Sequence, residues 1–554
     1  MHSLRKLQFR YAAIGIVAAL FGLTARTTTA ADRPNVLVFL ADDLGFSDLG
    51  CYGGEIETPT LNELAENGLR YTQFYNTARC WPTRAAILTG YYPQQVGRDA
   101  LPGLPGGARS PRPDWARLVP ELIKPLGYRS YLSGKWHVDG KPVASGFDHA
   151  FTMDDHNRFF YPQKMTLDDQ PIEPIDKGTQ DYYATTAIAD HAIEVLKDHQ
   201  ANYSDQPFFH YVAFISPHFP LHAPAEDIAK YKGRFDDGWD HSRKKRWERL
   251  REMGIIQGGL ADLEPEIGPP YRKWSDPAKQ ELGDKEVVLE LPWDSLTKEQ
   301  QAFQAAKMEI HAAMIDRMDQ EAGRVIEQLK AMGQFDDTLI LFLSDNGASA
   351  EIMIRGDGHN PDAPLGSGES YLCLGPGWSS AANTPFRRHK TWVHEGGAST
   401  PLIAHWPNGI KESGTLRRRI GHVVDIPPTI VELAGGAWPT EFNGKPVPAA
   451  PGESLVNSFT HDEDSSERVI WWLHEENRAV RKGDLKLVAG KGESWQLYDM
   501  SQDRAESNDL RLKMPREARE LQNTWEAMTS EFEELAQQNA AARKASRSSP
   551  RKKK

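Results

Sequence analysis

The stretch NVLVFLADD, residues 35–43, joins a short apolar run to two acidic residues. An apolar run of this length between polar positions is typical of a strand buried on both faces of a parallel sheet. It predicts a strand over 35–40, with Asp42 and Asp43 just beyond the carboxyl end. Because ligands of open α/β sheets gather at the carboxyl ends of strands, this acidic pair is a candidate site.

Strand-like and helical patterns alternate through the following 400 residues. Helices are predicted over 58–67, 181–199, 298–332 and 426–433, and strands over 208–215, 338–343 and 401–404. Two of these strands also end in polar clusters, Ser216-Pro217-His218 and Ser344-Asp345-Asn346. The alternation predicts an α/β fold with one large sheet covered by helices on both faces.

Composition divides the chain into a large domain, a small domain and two terminal segments. Residues 1–31 have the basic start, apolar run and small-residue end of a secretory signal peptide. A Gly/Pro/Ala-rich stretch, 435–452, separates a catalytic domain over 32–440 from a small C-terminal α+β domain over 441–540. Short strands and a helix over 515–534 are predicted there. The end, 541–554, is basic and expected to be a disordered tail.

Charge and targeting limit the classes of partner. Removal of the signal peptide takes away four basic residues and no acid, so the formal charge falls from −12 to −16. A surface this acidic does not attract polyanions, which argues against a nucleic acid partner, and an anionic substrate would need a local basic pocket. The apolar run near the N-terminus is short for a bilayer span, so no stable membrane insertion is expected. The predicted location is secreted or periplasmic.

Residues 80–90, CWPTRAAILTG, place a cysteine at the start of a predicted helix. Pro82 suits the first helical turn, and the helix N-terminus favours a developing anion at Cys80. Arg84 lies about one turn further on and could reach back over Cys80. A buried structural cysteine before an ordinary helix is the alternative interpretation. The other two cysteines, Cys51 and Cys373, could pair or stay free.

Other polar side chains add metal ligands and proton donors. Asp42, Asp43, Asp345 and Asn346 offer the hard oxygen ligands that suit Ca²⁺ or Mg²⁺. Lys135 and His137 follow a strand-like segment, and their i, i+2 spacing predicts that both face the same side. His218 and Lys390 supply two further donors. Taken alone, each of these residues would more often be structural or solvated.

In their order along the chain these blocks resemble the type I sulfatases of the alkaline phosphatase superfamily. The matching blocks are ADDLG at 41–45, CWPTRAAILTG at 80–90, GKWH at 134–137, PH at 217–218, SDNG at 344–347 and 390–397. The resemblance implies an alkaline-phosphatase-like α/β sandwich, with a large mixed, mostly parallel sheet and a small C-terminal antiparallel sheet packed with a helix. It covers nearly the whole mature chain.

The resemblance also implies a cofactor set and residue roles. Cys80 would be oxidised to formylglycine (3-oxoalanine) by a formylglycine-generating or equivalent maturation enzyme. The Ca²⁺ ligands would be Asp42, Asp43, Asp345, Asn346 and the modified Cys80. Around the sulfate would lie Arg84, Lys135, His137, His218 and Lys390, with Lys135, His218 and Lys390 binding substrate.

The implied reaction is hydrolysis of a sulfate monoester. One hydroxyl of the hydrated aldehyde at Cys80 would attack sulfur, with Asp345 a proton acceptor. His218 and Lys390 would protonate or stabilise the leaving alcohol, and His137 would help deprotonate the second hydroxyl. A phosphonate monoester or phosphodiester hydrolase using the same site is one alternative. A non-catalytic sulfated-glycan binding protein with unmodified Cys80 is another.

The expected substrate is a sulfated carbohydrate, with aryl sulfates also accepted. Between 225 and 297 lies a Trp/Arg/Glu-rich insertion that could form a lid over the active site. Its tryptophans could stack on sugar rings or pack on the core: Trp239, Trp247, Trp274 and Trp293. His222 and His394 are expected to be structural, whereas His474 and Arg478 are weaker candidates for a substrate wall.

Overall fold

The computed structural model describes residues 33–99, 111–179, 181–463 and 465–548, with side chains through 541. The predicted signal peptide and residues 549–554 of the predicted tail lie outside these ranges. Within them, the strands are β1 (Asn35–Ala41), β2 (Leu69–Tyr75), β3 (Arg129–Gly134), β4 (His149–Met153), β5 (Met165–Leu167), β6 (Gln170–Pro171), β7 (Phe208–Ala213), β8 (Thr338–Ser344), β9 (Ser399–His405), β10 (Thr415–Arg417), β11 (Gly421–His422), β12 (Glu441–Phe442), β13 (Lys445–Pro446), β14 (Val469–His474), β15 (Asn477–Lys482), β16 (Leu485–Ala489) and β17 (Gln496–Asp499).

Helices cover the large sheet and close the small one. They are α1 (Pro59–Glu66), α2 (Cys80–Thr89), α3 (Val119–Ile123), α4 (Ala184–Asn202), α5 (Ala225–Tyr231), α6 (Gly238–Glu252), α7 (Arg272–Leu282), α8 (Lys298–Ala331), α9 (Pro376–Ala382), α10 (Glu395–Ala398), α11 (Ile426–Leu433) and α12 (Pro515–Ser548). The helix predicted over 515–534 continues to Ser548. It therefore enters the segment 541–554 that was expected to be disordered.

Among the described residues, eleven strands form one mixed sheet in the order β10-β2-β9-β8-β1-β7-β3-β4-β5-β6, with β11 also beside β2. The central strands β8, β1, β7, β3 and β4 are parallel, whereas β9 and β5 run antiparallel to their neighbours. A second sheet, β14–β17, is antiparallel throughout. The predicted fold, a large mostly parallel sheet with a small C-terminal antiparallel sheet, is confirmed.

The first strand explains why its sequence is apolar throughout. Leu37, Phe39 and Ala41 pack into the core on one face of the sheet, and Val36, Val38 and Leu40 into the core on the other. Helices α1, α4 and α8 contribute to the first core, and α2, α3 and α11 to the second. Both faces are therefore dry at β1, as a doubly covered sheet requires.

The insertion at 225–297 folds as three helices, α5 to α7, and much of it packs into the core. Trp239 and Trp293 are buried against Trp378, with ring centroids 4.8–5.8 Å apart. Of the two predicted alternatives, packing on the core therefore holds for these two tryptophans, whose rings are not exposed to stack on sugar. Of the four insertion tryptophans, Trp274 is the most exposed, at 45%. Arg246 of α6, fully buried, fastens the insertion to Asp48 and Glu55 near β1.

The small sheet packs against the last helix. Trp471 of β14 lies beside Trp525 and Phe532 of α12, with ring centroids 6.3 and 4.9 Å away. All three cysteines fall within the described residues and are buried free thiols, so Cys51 and Cys373 do not pair. Across the described ranges, none of the helices combines the length and apolarity that a membrane span needs.

Candidate active site

Two neighbouring strands bring the predicted carboxylates together. Parallel pairing aligns Ala41 at the end of β1 with Ser344 at the end of β8. The Asp345 amide donates to the Ala41 carbonyl at 3.1 Å, and the Asp43 amide donates to Asp345 Oδ1 at 3.3 Å. Asp43 adopts a left-handed backbone with φ 68°, which turns the chain at the strand end. The sheet therefore brings together acids that lie about 300 residues apart in sequence.

The acids form a group able to hold a cation. Ligand atoms of Asp42, Asp43 and His218 lie within 4.8 Å of one another. Asn346 donates from its amide nitrogen to Asp43 Oδ1 at 2.7 Å. Asp42 Oδ1 and Asn346 Oδ1 are buried and have no hydrogen-bond partner among the described residues. Two unpartnered hard oxygens beside further carboxylates fit Ca²⁺ or Mg²⁺, which prefer oxygen ligands.

Basic side chains occupy the other sides of these carboxylates. Lys135 Nζ contacts Asp42 Oδ2 at 2.5 Å, and Lys390 Nζ contacts Asp43 Oδ1 at 2.7 Å. Burial lowers the pKa of Lys390, but the charge of Asp43 and then Glu351 outweigh it, so the pKa lies above its ordinary value. Lys390 is therefore a fixed cation, available to bind an anion brought to this site.

Cys80 is the first residue of α2, as predicted, and is 3% exposed. Burial raises the pKa of its thiol against the opposing charges of Lys135 and Lys390. An unmodified Cys80 is therefore a neutral thiol at ordinary pH and a poor nucleophile, since the thiolate is the reactive form.

Arg84 lies at the predicted site but bonds Asp345 rather than Cys80. Its Nε and Nη2 both donate to Asp345 Oδ2, at 3.0 and 2.7 Å, and its Nη1 donates to the Lys135 carbonyl at 3.2 Å. It is fully buried and does not reach back over Cys80 with a hydrogen bond. Its role in the structure is to hold Asp345 and the chain at Lys135 in position.

Asp345 has an unusual protonation state for a carboxyl group. Burial raises its pKa, as does the charge of Asp42, while Arg84 lowers it, and the pKa is about 7. Asp42 differs: Lys135, His218 and Arg84 outweigh the effect of burial and hold its pKa well below the ordinary value. Neighbouring acids with separated pKa values are typical of sites that move protons.

The segment carrying Lys135 and His137 is a turn rather than the extended segment that the i, i+2 spacing predicted, although both side chains lie near Asp42. Strand β3 ends at Gly134, whose φ is 113°, and His137 is also left-handed, with φ 55°. The turn still leaves Lys135 on Asp42. The His137 ring lies 6.0 Å from Trp81 and 6.1 Å from His156.

Three histidines form one side of the site as neutral rings. His156 lies between the other two, 5.0 Å from His218 and 6.1 Å from His137. Burial lowers the pKa of all three, to about 3 for His156, and nearby lysine charges add to the effect. His156 was missed by the sequence analysis because no motif surrounds it.

Two further residues were missed beside Lys390. Glu351 contacts Lys390 Nζ at 3.3 Å and Arg79 at 3.1 Å. Burial raises the pKa of Glu351, but Arg79, Lys390 and Arg355 together lower it to about 2. Arg79 directly precedes Cys80 and could have been found from that adjacency, whereas Glu351 lies in a loop without a motif.

The remaining candidates divide between the rim and the interior. His222 is buried and bonds the Ser370 carbonyl through Nε2 at 2.6 Å, and His394 is buried at the start of α10. Both positions agree with a structural role. His474 is near the site, 5.6 Å from the Trp81 ring and 2.7 Å from Asp99. Arg478 stacks instead on Trp495 at 4.6 Å, within the small domain.

Comparison with known proteins identifies relatives along most of the chain. The Sulfatase family model matches residues 34–437, and a model described as N-sulphoglucosamine sulphohydrolase, C-terminal, matches 387–538. An uncharacterized sulfatase of Schizosaccharomyces pombe is 32% identical over 541 residues, 89% of this chain and 93% of the relative. The arylsulfatase of Klebsiella aerogenes is 32% identical over 457 residues, 76% of this chain and 91% of the relative.

Solved structures share the fold at lower identity. Ps i-CgsB in complex with k-i-k-neocarrahexaose superposes with a TM-score of 0.62 at 21% identity, over 90% of this chain and 93% of that chain. The PsFucS1 sulfatase from Pseudoalteromonas sp. superposes with a TM-score of 0.59 at 20% identity, over 90% and 91%. These likenesses support the alkaline-phosphatase-like architecture that the sequence blocks implied.

Proposed function

The chain belongs to the sulfatase family and is a sulfuric ester hydrolase, and we propose that it works through a formylglycine made from Cys80 with a Ca²⁺ ion at the strand ends. One observation carries the proposal. Cys80 opens a helix beside buried acids with unpartnered oxygens and buried lysines, an arrangement that an inert thiol does not need. A formylglycine would supply a hydrated aldehyde, whose hydroxyl is the nucleophile that the thiol is not.

Asp42, Asp43, Asp345 and Asn346, together with modified Cys80, would hold the Ca²⁺, or Mg²⁺ in its place. The unpartnered Asp42 Oδ1 and Asn346 Oδ1 support this set. A dication at this position would neutralise charge on the sulfate oxygens. Because the chain carries a formal charge of −12, this local concentration of positive charge is what admits an anionic ester.

Lys135, Lys390, His137 and His218 would surround the sulfate group. Lys135 and Lys390 already contact the acids that would bind the ion, so their Nζ atoms are within reach of the same anion. Fixed donors in a buried site stabilise developing charge without reorganising during the reaction. Arg84 would act by holding Asp345, as its two contacts with Oδ2 indicate.

Proton transfers would use buried groups on both sides of the sulfate. Asp345 would accept the proton of the attacking hydroxyl. His218 Nε2 and Lys390 Nζ lie on the Asp43 side and would donate to, or stabilise, the departing oxygen. His137, neutral because burial lowers its pKa, would take the proton of the second hydroxyl as the aldehyde re-forms and the C–O bond to the sulfate breaks, which releases inorganic sulfate.

The proposed substrates are sulfated carbohydrates, with aryl sulfates also turned over because their leaving group is good. The names of two relatives support this range: an N-acetylglucosamine-6-O-sulfatase of Bacteroides thetaiotaomicron, 25% identical over 527 residues, and the arylsulfatase above. We also propose maturation by a formylglycine-generating enzyme and a secreted or periplasmic location. The proposed domains are 32–440 and 441–540. We propose neither a nucleic acid partner nor stable membrane insertion.

The test begins with the mass of the Cys80 peptide from active protein. Formylglycine in that peptide, with loss of 4-nitrophenyl sulfate turnover in Cys80→Ala and an unchanged melting temperature, is the expected result. Cys51→Ala is the matched control, because it removes another buried thiol and should keep activity. Turnover by Cys80→Ala would refute the nucleophile. A higher kcat/KM for a phosphonate monoester than for any sulfate ester would favour the alternative hydrolase.

A further inference from the structure

One arginine near the site has no ion-paired carboxylate among the described residues. Arg355 lies in the long connection between β8 and α9 and is half-buried. Its guanidinium lies over the Phe219 ring, 5.5 Å from the centroid. With the part of the chain that the structure describes, this guanidinium makes no hydrogen bond or ion pair. Most half-buried arginines pair with an acid, since a partly desolvated charge is costly without one.

Acids in the same region are already committed to other bases. Asp155, Glu351 and Arg355 all lie close enough to Tyr371 to shift the pKa of its buried hydroxyl. Asp357 is two residues from Arg355 along the chain. The pairs are Asp155 with Arg158 at 2.6 Å, Asp357 with Arg158 at 3.0 Å and Lys177 at 3.7 Å, and Glu351 with Arg79 at 3.1 Å and Lys390 at 3.3 Å. Arg355 therefore remains available for an anion from outside the chain.

Phe219 connects Arg355 with the proposed sulfate pocket. The same ring lies 5.5 Å from Lys390 Nζ and 4.1 Å, between centroids, from the His218 ring. Lys390 Nζ and Arg355 Cζ can therefore be no more than 11 Å apart, the sum of their two distances to the Phe219 centroid. Substituents on one sugar residue, or on adjoining residues, are separated by distances of this order.

We propose that Arg355 binds a second anionic group, a sulfate or a carboxylate, on the alcohol part of the substrate. The proposal rests on the sulfatase mechanism above and adds a preference for esters that carry a second anionic group. A guanidinium suits the task, because its planar fork donates two parallel hydrogen bonds to either anion. Phe219 would hold the guanidinium plane and exclude water from one side of it.

The competing role is structural, in which Arg355 only packs on Phe219. The two roles predict different kinetics for Arg355→Gln. Packing alone would alter the fold, and so affect every ester alike. Anion binding would raise KM only for esters with a second charge. The matched control is Arg251→Gln, which removes an arginine that also stacks on an aromatic ring, Trp247 at 5.1 Å, in the insertion.

The experiment measures kcat and KM for esters with one and two anionic groups. N-acetylglucosamine 6-sulfate and 4-nitrophenyl sulfate carry one; glucosamine 2-N,6-O-disulfate and a sulfated glucuronate carry two and distinguish sulfate from carboxylate. In Arg355→Gln, kcat/KM for at least one dianionic ester should fall about 10- to 100-fold, the effect of losing a charge-assisted hydrogen bond. Both singly charged esters should change less than about 2-fold, as should every ester in Arg251→Gln.

Equal losses on singly and doubly charged esters would overturn the proposal, and so would a wild-type enzyme without preference for a second charge. Failure of the sulfatase mechanism would show separately, as absence of turnover for every ester by protein whose formylglycine is confirmed by mass. Titration calorimetry of glucosamine 2-N,6-O-disulfate into Cys80→Ala protein then decides the role of Arg355. A Kd raised about 10-fold by Arg355→Gln supports it, and an unchanged Kd rejects it.

Discussion

Replacement of Arg246 by methionine should destabilise the protein by breaking a buried ion cluster. Arg246 Nη1 donates to Asp48 Oδ1 at 2.7 Å, and Nε and Nη2 donate to Glu55 at 2.9 and 3.0 Å. Asp48 is fully buried, and its other side-chain partner is His311 at 3.2 Å. The variant would keep the Asp48 carboxylate out of water without its strongest partner.

The size of the effect follows from the burial of both partners. Breaking a buried ion pair on one side costs about 3–5 kcal/mol. With an unfolding entropy of about 2.1 cal/mol/K per residue, about 500 ordered residues give roughly 1 kcal/mol per degree. The melting temperature should therefore fall by about 3–5 °C at pH 7. Arg251→Met, on the same helix but exposed, should change it by less than about 1 °C.

The pH dependence of the melting temperature tests the loss of the ion pair independently. Burial raises the pKa of Asp48, but His311 and Arg246 lower it to about 2, below its unfolded value. In the wild type this carboxylate stabilises the fold above the unfolded pKa, and the contribution is lost as pH falls through 2. Without Arg246 burial raises the Asp48 pKa, so the ionised form is destabilising at neutral pH. The difference in melting temperature between the two proteins should shrink towards pH 4.

Differential scanning calorimetry at pH 7, 5.5 and 4 measures both effects. Adding Asp48→Asn to Arg246→Met should recover part of the loss, because the stranded charge is removed. A fall of less than about 1 °C at pH 7, or a difference that grows on acidification, would refute the reasoning. Either result would mean that the Asp48 carboxylate remains well solvated in the variant.

Three further predictions concern the site and the insertion. Chelation with EDTA should abolish turnover of 4-nitrophenyl sulfate and Ca²⁺ should restore it; activity indifferent to prolonged chelation would exclude the metal role. Arg84→Lys should lower kcat about 100-fold with little change in melting temperature, since one ammonium cannot replace the two contacts with Asp345. A kcat near wild type would show that Asp345 does not need these contacts. Trp239→Ala should lower the free energy of unfolding by about 3–5 kcal/mol, measured by urea titration, because it leaves a cavity. The exposed control, Trp274→Ala, should change it by less than about 0.5 kcal/mol. Equal stability of the two variants would contradict the buried position of Trp239.

Helices and strands with a clear apolar pattern were predicted well from the sequence. The strand at 35–40 has a continuous apolar run, and helix 298–332 and the small C-terminal sheet have apolar patterns of their own. Each is found within a few residues of its predicted bounds. The meeting of the polar clusters at the ends of β1 and β8 could also be predicted, because both strands were recognised as buried strands of one sheet. Parallel pairing of two buried strands leaves their carboxyl ends side by side.

The sequence could not predict the partners of individual side chains, because these depend on how the elements pack in three dimensions. Arg84 could be assigned to the site but not to Asp345, since its partner is set by packing between α2 and β8. The Trp-rich insertion has the composition of either a binding surface or a core, and only the fold places Trp239 against Trp378. His156 and Arg355 lie on loops without periodicity, so nothing in their local sequence marks them.

The position of β1 in the sheet has a consequence for synthesis. This strand leaves the ribosome early, yet its two neighbours, β7 and β8, begin about 170 and 300 residues later. At about 5–20 residues per second, a nascent chain would wait roughly 15 to 60 s for β8. Until β7 and then β8 emerge, the unpaired edges of this apolar strand can associate with other chains. Residues 35–41 are therefore an aggregation hazard of the nascent chain until translation has passed Ser344.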